Sequence, residues 1–62
     1  MCELSVYTVK GELREKIMEG VVRLVPYDGK VLLEGIFGDS MKVEGSLAEV
    51  DIIAQAAKIV VG

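Results

Sequence analysis

Glycine falls at positions 11, 20, 29, 35, 38 and 45, and between the first and last of these no glycine-free segment exceeds eight residues. An ordinary helix needs about eleven or twelve residues, so this spacing favours short strands joined by turns. Glu3 to Val9 (ELSVYTV) is rich in β-branched and aromatic residues and has strand character. Its alternation sets Cys2, Leu4, Val6 and Thr8 on one face and Glu3, Ser5, Tyr7 and Val9 on the other. Lys10-Gly11 makes the first turn. The charges of Glu12 to Glu19 would also suit an exposed helix, but Ile17 and Met18 lead straight into Gly20 and a further apolar run, which favours a strand.

Val21 to Pro26 is the next strand, and Asp28-Gly29 between two apolar runs is a strong hairpin signal. Val31 to Phe37 returns, with Gly35 marking a bulge or a close backbone approach. Gly38-Asp39-Ser40 then turns into Met41 to Glu44. The last third carries conflicting signals. Ser46-Leu47-Ala48-Glu49 matches a capping box, and alanines 54, 56 and 57 favour a helix. Val50, Ile52, Ile53, Ile59, Val60 and Val61 are β-branched and oppose it. The balance predicts two strands, Glu49 to Ile53 and Lys58 to Val61, around an Ala54 to Ala57 connection.

A chain of 62 residues holds one domain, expected here over residues 1–62. Domains below roughly 70 to 80 residues need disulfides, a metal or a partner to supplement their core. One cysteine excludes an internal disulfide, and a 52% hydrophobic composition is more than so small a body can bury. A subunit interface, by default that of a symmetric homodimer, is expected. The net charge is −3, and Arg14, Lys16 and Arg23 are mixed with Glu12, Glu15 and Glu19. Nucleic-acid binding, which draws on a basic face, is therefore disfavoured. No apolar run approaches the ~18 to 20 residues of a membrane span. The opening Met-Cys-Glu-Leu-Ser lacks the features of a signal peptide. A lone thiol fits a reducing compartment, so a cytoplasmic location is expected.

Histidine is absent, which removes the commonest general base and the commonest transition-metal ligand together. The chain has no G-x-S-x-G, phosphate-binding glycine loop or C-x-x-C. Its ten carboxylates are scattered, as on a solvated surface. An enzyme is not expected. Cys2 is the exception. A lone cysteine is ordinarily a small buried hydrophobe, but a thiolate beside the chain terminus gains nitrogen donors that mid-chain cysteines lack. With Met1 present, the Met1 amine, the Cys2 amide and the Cys2 sulfur form two fused five-membered chelate rings. Without it, the Cys2 amine and sulfur form one ring, and the Glu3 amide can add another. Such planar nitrogen and thiolate sets suit nickel(II) or copper(II), whereas zinc prefers a tetrahedron. Two Cys2 residues meeting across a dimer axis would complete four donors. Glu3 stands next to this site as a candidate supporting acid. Tyr7 and Phe37 are expected in the barrel, Phe37 in its core, with Met18 and Met41 as gap fillers.

Met1-Cys2-Glu3, Val6-Tyr7, Ile36-Phe37-Gly38-Asp39 and Glu49-Val50-Asp51, in this order and spacing, resemble the CooT family over nearly the whole chain. The resemblance implies a small SH3-like β-barrel that forms a homodimer. It also implies a nickel-binding accessory role in carbon monoxide dehydrogenase maturation, with nickel at the interface through the cysteine matching Cys2. Ala54-Gln55-Ala56-Ala57 departs from the polar turn, sometimes with histidine, that relatives carry before the last strand.

The expectation is thus an all-β, SH3-like barrel of about six or seven short antiparallel strands. It would act as a homodimeric Ni(II) metallochaperone that holds its metal through Cys2 for a nickel-dependent client enzyme. The competing reading is a small-barrel module that binds RNA or a protein partner and has no metal role.

Overall fold

The computed structural model describes residues 3–62. Six strands follow one another: β1 (Leu4–Lys10), β2 (Leu13–Tyr27), β3 (Lys30–Gly35), β4 (Ser40–Glu44), β5 (Ser46–Asp51) and β6 (Ala56–Val60). They form one sheet in the order β4-β3-β2-β1-β6-β5, curled into a half-barrel. The all-β expectation holds, and the last third is strand rather than helix. One pairing departs from the expected antiparallel set: β1 and β6 run parallel, from Ser5 opposite Ala56 to Val9 opposite Val60.

The segments read as two strands on either side of Gly20 are one strand of 15 residues. Gly20 has φ +67° and bends the strand without ending it. Residues before the bend pair with β1 and residues after it with β3, and Val21 is shared, opposite both Leu4 and Gly35. The β2–β3 connection behaves as Asp-Gly predicts. Asp28 and Gly29 have φ of 47° and 70°, as a two-residue primed turn requires.

The inward face carries the alternation seen in the sequence. Leu4, Val6, Val21, Val31, Leu33, Ala57 and Ile59 are buried, and Ile17, Met18, Leu24, Val43, Leu47 and Val61 pack against them. The Met18 gap-filling role holds, while Met41 stands half-exposed on the edge strand β4. Tyr7 is half-buried on the outward face, with the Arg14 guanidinium 4.3 Å from its ring centre. Phe37 is not core: it is 94% exposed. β3 ends at Gly35, and the turn closed by Gly38 N–H donating to the Gly35 carbonyl (3.1 Å) carries Phe37 at its tip.

β4 and β5 lie at opposite edges of the sheet, yet one residue, Gly45, joins them. The two edges must therefore come together at that point. The Gly45 N–H donates to the Gly29 carbonyl at 2.9 Å, tying the junction to the β2–β3 turn. Its φ is +155°, and a Cβ there would stand 2.5 Å from the Val60 carbonyl oxygen and 2.9 Å from the Ile59 side chain. Backbone cannot yield as a flexible side chain can. Gly45→Ala is expected to cost about 2 kcal/mol or more. That corresponds to a fall in Tm of about 10 °C in a domain of this size. Gly11→Ala, at a turn with nothing within 4 Å of the added methyl group, should cost about half as much. Thermal unfolding of the two variants checks the contrast, and equal losses would mean that closure at Gly45 is not tight.

Candidate functional site

Cys2, the residue singled out by its chemistry, lies outside the described residues. Glu3, bonded to it, is described and exposed. Immediately after Glu3, β1 begins between two features. On one side Leu4 pairs with Val21, just past the bend of β2. On the other, the Ser5 N–H donates to the Gln55 carbonyl at 2.9 Å in the β5–β6 turn. The β3–β4 turn joins this end of the barrel through Ile36, whose N–H donates to the Gly20 carbonyl at 2.9 Å.

Glu3 reaches into the same place. A Cβ on Gly20 would lie 3.4 Å from Glu3 Oε1 and 3.6 Å from the Ile36 side chain. The Glu3 carboxylate and Ile36 thus border the bend in β2 together, at ordinary contact distance. Glycine suits position 20 because its φ is +67°, not for lack of space. Among the described residues, no three Asp, Glu or Cys side chains gather closely enough to hold a metal ion.

The two turns flanking the start of β1 carry exposed apolar side chains. Phe37 is 94% exposed, Ile53 98% and Ile52 57%. Ile52 and Ile53 were expected in a strand, but β5 ends at Asp51. Asp51 Oδ1 accepts a hydrogen bond from the Ala54 N–H at 3.0 Å, and Gln55 N–H returns to the Ile52 carbonyl at 3.3 Å. This local side-chain bond gives the backbone an alternative to the ladder. An Asp ahead of two residues and an alanine was the sequence signal for it. Gln55, with φ +56°, completes the turn and lets Ala56 and Ala57 enter β6 instead of serving as connection. Burying side chains of this kind stabilises an assembly by about 1.5–3 kcal/mol each, so such tips gain from a partner surface.

A cleft of about 410 Å³ lies at the other ends of β3, β4 and β5, between Pro26 to Lys30 and Gly45 to Leu47. It is separate from the end at which β1 starts. Among the described residues no helix is long and apolar enough to cross a membrane.

Comparison with known proteins bears on the whole chain. No curated protein matches it. A crystal structure described as "putative CooT from Carboxydothermus hydrogenoformans" superposes with a TM-score of 0.87 at 26% identity, covering 98% of each chain. The family described as "CO dehydrogenase accessory protein CooT" matches residues 1–61, a span that includes Cys2. Fold and family match agree over nearly every residue, and this chain belongs to the CooT family of CO dehydrogenase accessory proteins, with an accessory rather than an enzymatic role.

Proposed function

We propose that the protein is a cytoplasmic nickel metallochaperone that works as a homodimer. One Ni(II) is its cargo, shared between two chains through Cys2 and neighbouring N-terminal nitrogens. The recipient is a nickel enzyme such as carbon monoxide dehydrogenase. The observation that carries this reading is the family match from residue 1 to residue 61, which takes in the chain's one cysteine.

Three physical features support it. A thiolate with amine and amide nitrogens at five-membered-ring spacing is a donor set suited to nickel(II). Glu3, the residue bonded to Cys2, brings a negative charge that favours a divalent cation nearby. Phe37, Ile52 and Ile53 stand exposed on the turns beside the start of β1. A second copy pairing end to end would cover them and bring two Cys2 residues to one axis.

Titrating the reduced, metal-free protein with nickel(II) should produce thiolate-to-nickel charge-transfer absorption that saturates at one metal per two chains. Cys2→Ser should remove the absorption and weaken binding by a hundredfold or more while the fold is retained; undiminished affinity would exclude the site. For the interface, Phe37→Asp combined with Ile53→Asp places two charges on exposed tips that the fold does not need. Sedimentation should then show a monomer of native circular dichroism. A dimer that persists in this variant would place the interface elsewhere.

A further inference from the structure

The outward face of β2, β1 and β6 carries an arrangement that the nickel reading leaves unused. Tyr7 in β1 lies opposite Lys16 in β2 and opposite Lys58 in β6, so the three side chains share one face of the sheet. Arg14, opposite Val9, lies on that face as well, with its guanidinium 4.3 Å from the centre of the Tyr7 ring. Three of the seven lysines and arginines in an acidic chain thus surround one half-buried aromatic ring.

The flanks carry the opposite sign. Lys16 Nζ bonds Glu19 at 2.6 Å and Lys58 Nζ lies 3.3 Å from Glu49. Across the sheet the order is Glu49, Lys58, Tyr7, Lys16, while Glu19 lies along β2, three residues beyond Lys16. Both ion pairs are solvent-exposed, and such pairs contribute little and exchange partners readily. The Glu19 hydrogen bond holds the Lys16 pKa above its ordinary value, so the ammonium stays charged. Arg14 has no ion pair among the described residues; the Tyr7 ring holds it in place.

From this we infer that the Tyr7 face docks a discrete acidic protein surface, with one carboxylate set at Lys58 and another at Lys16, on either side of the Tyr7–Arg14 pair. Charge complementarity selects the occupant. A continuous polyanion such as RNA would meet Glu49 beside Lys58 and Glu19 beside Lys16, whereas two localised carboxylates can reach the cations without lying over either glutamate. The spacing is specific. Lys58 and Lys16 stand two strand intervals apart, roughly 10 Å. Glutamates seven residues apart on a helix lie about 10.5 Å apart on one face. The face is made by outward side chains of β2, β1 and β6, not by the turns at the start of β1, so a partner can dock there while those turns remain free. The docking face does not depend on the nickel reading; that reading supplies only the idea that the partner is a client.

The test uses the full ¹⁵N-labelled protein and three probes. One is an alanine-based helical peptide with two glutamates seven residues apart; another has the same composition with those glutamates on opposite faces; the third is oligouridylate. Amide shifts at Tyr7, Arg14, Lys16 and Lys58 are expected with the first peptide, and binding at least tenfold weaker with the second. Arg14→Glu combined with Lys58→Glu should abolish the shifts while nickel uptake stays as in the parent protein. Absent shifts, shifts elsewhere on the protein, indifference to the charge reversal, or tighter binding of oligouridylate to the same face would each overturn the assignment. Loss of nickel binding by Cys2→Ser, measured separately, leaves this outcome untouched, so the two readings fail independently.

Discussion

The one-residue junction at Gly45 is the constraint on which the architecture turns. A flat sheet in the order β4-β3-β2-β1-β6-β5 would hold its first and last strands five intervals apart, and one residue cannot span that. The sheet has to curl until β4 and β5 meet. Gly45 can occupy the meeting point because it has no side chain to collide with the Val60 carbonyl. Curling in turn creates an inside, and the inside is what Val6, Val21, Val31, Leu33 and Ile59 fill. It also sets the direction of the last hairpin, so that β6 closes against β1 in parallel.

Much of this was legible in the sequence because the relevant signals are local. Asp28-Gly29 specified its turn through backbone preferences that few other residue pairs share. The Leu4 and Val6 alternation marked the inward face of β1 without knowledge of its neighbours. The errors arose where a residue's meaning depends on distant partners. Gly20 reads as a terminator, yet in the fold it bends a strand whose two halves find different neighbours. Phe37 reads as core by composition alone, and only the turn that closes between Gly35 and Asp39 reveals that it projects outward. At the β5–β6 turn the alanines suggested the connection, whereas the Asp51 carboxylate fixes it two residues earlier. The parallel pairing had no local signature at all.

The candidate site was legible in a different manner. Cys2 stood out by elimination in a histidine-free chain and by its place beside the terminal nitrogens, which is chemistry and not geometry. The structure adds what lies around the start of β1: the bend at Gly20 bordered by Glu3 and Ile36, and the apolar tips of two turns that sequence reading had placed in strands or core. The Tyr7 face escaped sequence reading because its cations are spread over residues 14 to 58 and only strand pairing brings them into one row. The net charge of −3 concealed a local cluster of three cations.

The length of β2 has a consequence for how the protein behaves as a whole. Fifteen extended residues would reach about 50 Å, against a longest molecular dimension of 31 Å. The strand therefore wraps the barrel and belongs to both halves, paired with β1 before the bend and with β3 after it. Neither half can come apart while the other stays intact without tearing the strand they share. A body built this way melts as one cooperative unit and not through a loosened half.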